Sequence, residues 1–97
     1  MSVKVRIRLL GVFRGLSGKS QFQMELEERD VVREVIQKLA EAFSPEFRQA
    51  LIDPELNDPR PNALILVNGK EISALRGLGT RVSDGDEVVI IPVSHGG

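Results

Sequence analysis

The stretch that decides the fold is Asp84-Gly85-Asp86-Glu87-Val88-Val89-Ile90-Ile91-Pro92-Val93, a polar turn followed by a nearly unbroken apolar run. Asp-Gly is a common turn dipeptide, and a short apolar run that follows a turn is typical of a buried strand. Residues 3–9 alternate apolar and charged side chains, which is the period of two found in strands. These are the longest and most apolar of the predicted strands. We therefore expect them to lie side by side and parallel at the centre of one sheet.

An antiparallel hairpin is predicted at the N-terminal side. Residues 21–27 alternate apolar side chains with Gln and Glu, so they form the second predicted strand. The connection between the two strands is punctuated by glycine, which predicts a loose loop. These glycines are Gly11, Gly15 and Gly18.

One main helix should follow the hairpin. Asp30 has the side chain of a helix N-cap, and an apolar stripe with helical spacing comes after it. Pro45 disfavours helical backbone at Ser44, so the helix should end there. Ser44 and Pro45 also fit the start of a short second helix, with Phe47 and Leu51 on one face. The apolar stripe of the main helix consists of Val32, Val35, Ile36, Leu39 and Phe43.

The remaining segments complete a two-layer α+β domain. Residues 53–61 contain three prolines and predict an irregular surface loop. Residues 63–67 are an apolar strand, Asn68-Gly69 is a hairpin turn, and residues 70–72 are a short return strand. We expect a mixed four- to five-stranded sheet with one main helix on one face. The domain should span residues 1–93, and residues 94–97 should form a flexible tail.

The composition is that of one globular domain. The chain has 97 residues, of which 41% are hydrophobic and 28% are charged. The absence of cysteine excludes a disulfide framework, a thiol nucleophile and a thiolate metal site. A net charge of −1 argues against general nucleic-acid binding, and no apolar run approaches the length of a membrane span. Because the N-terminus is no secretion signal, we expect a cytoplasmic protein.

The C-terminal third carries a recognisable series of motifs. Asn68-Gly69 is followed by Asp84-Gly85-Asp86-Glu87-Val88, then by an apolar strand with Pro92, then by Gly96-Gly97. Together these resemble the small subunit of molybdopterin synthase and its thiamine sulfur-carrier relatives, which have the ubiquitin-like β-grasp fold. The ending Ser94-His95-Gly96-Gly97 is also similar to that of the ubiquitin-related modifier. The family often has two prolines before the tail, whereas Pro92 is followed by Val93 here, which leaves the downstream use of the tail open.

The resemblance implies a sulfur carrier for molybdenum cofactor biosynthesis. A partner adenylating enzyme would consume ATP to activate the carboxylate of Gly97, and sulfur would convert it to a thiocarboxylate. The chain would act as the small subunit of molybdopterin synthase, docked on the large subunit, and would bind no cofactor or metal itself. The open alternatives are a protein modifier that is joined to lysines, a carrier for transfer RNA thiolation, and an interaction module without tail chemistry.

The chemistry of the tail explains why it needs help from a partner. A terminal carboxyl has a pKa of about 3.5, so it is ionised at neutral pH and is a poor electrophile until it is adenylated. Glycine has no Cβ to obstruct attack at this carbon. His95 is the only histidine and has no predicted orienting carboxylate, so we interpret it as a partner contact, while Ser94 and Gly96 are the other tail residues before Gly97.

Three further groups of residues are interpreted as structural rather than as ligand sites. Asp84, Asp86 and Glu87 lack the twelve-residue loop of a calcium site and are interpreted as turn residues. Gly77 and Gly79 lack the Lys-Ser/Thr of a phosphate loop and are interpreted as loop glycines. The basic residues of the first strand should be a solvated outer face that acids of the second strand partly neutralise, rather than an anion site. The basic set is Lys4, Arg6 and Arg8, and the acids are Glu25 and Glu27.

A partner surface is predicted on the open face of the sheet. Alternation places Leu10, Val89 and Ile91 on the outer face, where a sheet covered on one side should be polar. An exposed apolar patch near the tail would be a binding surface, and Pro92 would belong to it. The alternative is that residues 53–61 fold over these side chains and cover them.

Overall fold

The computed structural model describes residues 1–93, which form one mixed five-stranded sheet with the helices on one face. The strand order in the sheet is β2-β1-β5-β3-β4. In chain order the elements are β1 (Ser2–Leu9), α1 (Gly11–Ser17), β2 (Gln21–Glu27), α2 (Val32–Ala42), α3 (Pro45–Leu51), β3 (Ala63–Val67), β4 (Lys70–Glu71) and β5 (Glu87–Pro92). Single 3-10 turns occupy Ile72–Ala74 and Gly77–Gly79. No helix within residues 1–93 is long and apolar enough to cross a membrane.

The first and last strands form the centre of the sheet, as the sequence predicts. β1 and β5 run parallel, with Ile7 opposite Val88 and Leu9 opposite Ile90. β2 flanks β1 and β3 flanks β5, both antiparallel. Their apolar inner side chains explain this placement, because the centre of the sheet is the part that the helices cover most completely. The β-grasp arrangement is therefore confirmed.

The core lies between the inner face of the sheet and the helices α2 and α3. The apolar stripe of α2 is buried as predicted, from Val32 to Leu39. Phe47 and Leu51 of α3 are both fully buried, so the short second helix is also confirmed. Ser44 caps that helix, because its hydroxyl accepts from the Phe47 N–H at 3.2 Å. Each such buried side chain contributes about 2 kcal/mol of transfer free energy.

The connection between β1 and β2 differs from the predicted loose loop, because residues 11–17 form the helix α1. Phe13 explains the difference: its ring is fully buried and packs edge-on against Phe47, with the centroids 5.9 Å apart. Gly18 ends the helix at φ 74, where its N–H donates to the Arg14 carbonyl. These glycines bound and interrupt a short helix instead of marking an open loop.

The start of α2 also differs from the prediction. The capping position is Val31, not Asp30. The Asp30 carboxylate instead accepts from the Glu27 N–H at 2.9 Å and closes the turn after β2. The Glu34 carboxylate accepts from the Val31 N–H at 2.8 Å. An acid in the first turn of the helix thus provides a hydrogen-bond acceptor for the backbone N–H of the capping residue. Asp30 is a turn residue here because its side chain points back along the chain rather than into the helix.

Candidate docking face and the origin of the tail

The outer face of the sheet is divided into an apolar half and a polar half. On the apolar half, Leu64 lies opposite Ile91, and Leu66 lies opposite Val89, across the β3–β5 ladder. Leu10 directly follows β1 and donates its N–H to the Ile90 carbonyl at 3.2 Å. We call this surface the outer patch, and it consists of Leu10, Leu64, Leu66, Val89 and Ile91. Pro92, which was also expected there, lies opposite the buried Ala63 and packs against Gly11, so its ring is on the helix side of the sheet and not in the patch.

The structure corrects the expected exposure of one predicted patch residue. Val89 is only 7% exposed, because Arg8 and Leu66 flank it on the two neighbouring strands. Leu10, Ile91 and Pro92 are half-buried. The most exposed member is Leu64, at 37%. The surface that a partner can reach therefore centres on Leu64 and Ile91 rather than on Val89.

Sequence reasoning missed Leu64 and Leu66. Residues 63–67 are a solid apolar run, and such a run is typical of a strand buried on both faces. The pairing of Leu64 with Ile91 puts every second residue of this run on the outer face. The signal that could have found them is the alternation rule applied to this strand as well as to the first and last. The loop at residues 53–61 does not cover the patch, because Asn57 and Pro59 line the helix side with Ile36.

The polar half of the outer face contains one acid that forms ion pairs with two arginines. Glu87 pairs with Arg6 at 3.4 Å and with Arg8 at 3.9 Å. The two arginines are therefore paired with an acid of β5, which the sequence did not predict. Of the expected acids on β2, Glu25 lies opposite Lys4, whereas Glu27 lies opposite Ser2. Such exposed pairs contribute well under about 1 kcal/mol each, so they shape the charge of the surface more than its stability.

The acidic turn before β5 ties three segments of the chain together. The Asp84 carboxylate accepts from the Lys4 N–H at 2.8 Å. The Asp86 carboxylate accepts from the Ser83 N–H at 2.7 Å and from the Asn68 side-chain amide at 3.0 Å. The Asn68 side-chain oxygen in turn accepts from the Glu87 N–H at 3.0 Å. These acids are turn residues, as predicted, and the two turn motifs of the sequence are bonded to each other.

The point where the chain leaves the domain lies at the opposite end of β5. The Val93 N–H donates to the Asn62 carbonyl at 3.0 Å, on the side of β3. On the other side the Pro92 ring lies against Gly11 at the start of α1. The predicted tail residues lie outside the described residues, and their roles stay predictions. They are Ser94, His95, Gly96 and Gly97.

The shifted pKa values among the described residues belong to the loop before β3 and to the short strand β4, and not to the outer patch. Arg60 donates to Asp58 at 2.6 Å and lowers the pKa of that carboxyl below its usual value. The Ser73 N–H donates to the Glu71 carboxylate and lowers its pKa as well. No group of metal-ligating side chains is present in residues 1–93. The described part of the chain thus offers a surface and an anchored strand end.

Comparison with known proteins agrees with this arrangement. Small archaeal modifier protein 3 of Haloferax volcanii is 25% identical over 95 residues, which cover 98% of this chain and 100% of that protein. Small archaeal modifier protein 1 of Methanosarcina acetivorans superposes with a TM-score of 0.81 at 25% identity, over 100% of this chain and 99% of that one. A candidate molybdopterin converting factor, subunit 1, of Pyrococcus furiosus gives 0.75 at 25% identity, over 95% and 99%.

The family assignment follows from the extent of a further match. The model of the ThiS family matches residues 7–97, which include the end of β1 and every later element through β5. The fold, the outer patch and the match over nearly the whole length point the same way. The chain belongs to the ThiS family of ubiquitin-like β-grasp proteins, which comprises sulfur carriers and ubiquitin-like modifiers.

Proposed function

We propose that this chain is a cytoplasmic sulfur carrier that is loaded at the carboxylate of Gly97 and supplies sulfur for molybdopterin. The observation that carries the proposal is that the family match extends to residue 97 and so includes Gly96-Gly97. Similarity to a candidate molybdopterin converting factor favours this acceptor. The anchored end of β5 supports it, because the last four residues continue from a fixed point of the domain.

The chemistry divides between the chain and its partner. A carboxylate oxygen of Gly97 attacks the α-phosphorus of ATP, and pyrophosphate leaves. The outer sulfur of a partner persulfide then attacks the acyl carbon, and AMP leaves. A second thiol attacks the donor's sulfur of the resulting acyl disulfide, forms a disulfide with the donor and expels the thiocarboxylate. The chain has no cysteine and only one histidine, so the sulfur nucleophile must come from the partner enzyme. The domain contributes recognition, and the tail contributes the reacting carboxylate.

Two partners would use the outer patch in turn. The adenylating enzyme docks on it during loading, and the large subunit of molybdopterin synthase docks on it during sulfur transfer. The patch fits this role because Leu64 and Ile91 are apolar, at least partly accessible and adjacent on neighbouring strands. Transfer of such apolar side chains from water into a dry interface is favourable and would stabilise a complex. Sharing of one surface would make the two complexes mutually exclusive.

Protein modification is the second candidate function, because the curated relative is a small archaeal modifier protein. Activation would be the same. The acyl-adenylate, or a thioester made from it, would then be attacked by a lysine ε-amine, with an isopeptide bond formed and the leaving group expelled. Transfer RNA thiolation would share the thiocarboxylate and differ in the acceptor.

The test is to incubate the chain with ATP, the adenylating enzyme of its own organism and a sulfur donor, and to map the C-terminal peptide by mass spectrometry. Tryptic cleavage after Arg81 gives residues 82–97 without a methionine. This matters because oxidation of Met1 or Met24 adds nearly the same mass as exchange of oxygen for sulfur.

Three results separate the candidates. Sulfur on Gly97 supports the carrier, and molybdopterin formation by the loaded chain with the large subunit supports the acceptor. Lysine conjugates without sulfur at Gly97 favour the modifier. A chain without Gly97 is the control and should give no product. An unmodified wild-type chain beside an active enzyme would refute both functions.

A further inference from the structure

We propose that Gly11 is a positioning residue for the reaction at the tail: its missing side chain lets α1 begin against the Pro92 ring and so sets where the tail starts. The inference rests on the function proposed above. It concerns residues that the structure describes, Gly11 and Pro92, and assigns no structure to the tail itself.

The backbone at Gly11 is the first observation. Leu10 is extended, with φ −119 and ψ 162, and Gly11 follows with φ +55. The left-handed region is open to glycine and unfavourable for residues with a Cβ. This conformation turns the chain sharply from β1 into α1 and brings the first turn of the helix against the end of β5.

The space at Gly11 is the second and independent observation. A Cβ at this position would lie 2.6 Å from Cγ of Pro92, 3.3 Å from Cδ and 3.9 Å from Cβ. Non-bonded carbon atoms reach their optimum separation only at about 3.5–4.0 Å. The proline ring is closed onto its own backbone and cannot rotate out of the way. A side chain at Gly11 must therefore push the end of β5 and the start of α1 apart.

The hydrogen bonds around Pro92 turn that movement into a displacement of the tail origin. Pro92 lies opposite Ala63 at the end of the β3–β5 ladder. The next residue, Val93, is held to Asn62 by its N–H at 3.0 Å. Contact with Gly11 on one side and this bond on the other fix the last described peptide. Residues 94–97 continue from that peptide.

The consequence is kinetic. The adenylating enzyme holds the domain by the outer patch and must receive the carboxylate four residues beyond Val93. A misplacement of about 1 Å can lower a rate by about a hundredfold even when binding is intact. A shifted tail origin should therefore reduce the turnover of adenylation much more than the affinity of docking.

The experiment is a double-mutant cycle with the full chain, ATP and the adenylating enzyme. Gly11→Ala should lower kcat by about tenfold or more and leave KM for the chain within about twofold. Pro92→Ala removes Cγ and Cδ, so in that background the loss from Gly11→Ala should shrink to about threefold or less. Gly15→Ala is the matched control on the same helix, because nothing lies within 4 Å of a Cβ there, and it should keep the wild-type kcat.

A structural measurement runs beside the kinetics. Gly11→Ala should shift the amide resonances of Val93 and Asn62, whereas Gly15→Ala should leave them in place; thermal melting checks that all variants are folded. Equal losses of kcat in both Pro92 backgrounds would overturn the proposal and point to backbone strain alone. Wild-type kcat in folded Gly11→Ala would overturn it too. A wild-type chain that is never adenylated would refute the proposed function, and a shifted Val93 amide would then report packing only.

Discussion

Replacement of Leu64 by Asp is the sharpest test of the outer patch as a docking surface. Leu64 is 37% exposed on the outer face and lies opposite Ile91. A leucine that passes fully from water to an apolar site contributes about 1.5–3 kcal/mol, so the third that a partner can still cover is worth about 1 kcal/mol. A carboxylate in the same interface adds an unpaired charge that must lose its water, at a cost of about 2 kcal/mol or more.

The two contributions predict a docking free energy weakened by about 3 kcal/mol, which is about a hundredfold in affinity. The cost in folding should be smaller, about 1 kcal/mol, because the new carboxylate still reaches water and loses mainly strand propensity and cross-strand packing. The assay is the initial rate of pyrophosphate release by the adenylating enzyme as a function of chain concentration. The variant should raise KM by about a hundredfold, with kcat little changed at saturation.

Leu56→Asp is the matched control. It makes the same chemical change at a leucine that is 68% exposed in the loop on the helix side, away from the outer patch. Its KM should equal that of the wild type. If Leu64→Asp and Leu56→Asp change KM alike, net charge and not the patch controls docking. If the folded Leu64→Asp variant has the KM of the wild type, the outer patch is not the docking surface.

Three further predictions concern other contacts. Ile91→Asp should also block loading, but should lower the melting temperature more than Leu64→Asp because Ile91 is half-buried; equal melting would contradict its placement. Phe13→Ala should cost about 3–5 kcal/mol by emptying the space beside Phe47, and a near-neutral value in urea unfolding would contradict a buried α1. Asp58→Asn should lower the free energy of unfolding by under about 1 kcal/mol at pH 7, because the half-exposed Arg60 lowers the pKa of Asp58 in the folded state. This stabilisation is present above the pKa of Asp58 in the unfolded chain and should vanish as the pH falls from about 5 towards 2. Unfolding measured at both ends of that pH range would check it.

The strands and the main helix could be predicted because their signals are local. The alternation in residues 3–9 and the stripe from Val32 to Leu39 each report a buried face through a fixed period. The central position of β1 and β5 followed from their apolar character. None of these predictions requires knowledge of which residues are neighbours in space.

The helix α1 and the burial of Val89 could not be predicted in this way, because both depend on distant partners. Residues 11–17 contain two glycines and weak helix propensity, and what holds them is Phe13 against Phe47, far along the chain. Val89 alternates outward in sequence, yet Arg8 and Leu66 shield it from two other strands. The local sequence pattern predicts which face of a strand a side chain is on. The exposure of that side chain depends on the residues beside it on neighbouring strands.

Both ends of β5 are fixed by contacts with other segments of the domain. Asp86, Asn68 and Glu87 tie its start to the β3–β4 turn. Gly11 and Asn62 hold its end, and strands on both sides bond its length. A partner that binds the outer patch would therefore hold the same strand from which residues 94–97 continue. Since loading with sulfur and conjugation to lysine would both begin with attack on the acyl carbon of the proposed Gly97 adenylate, we expect the product to be selected by the partner that occupies this face after activation.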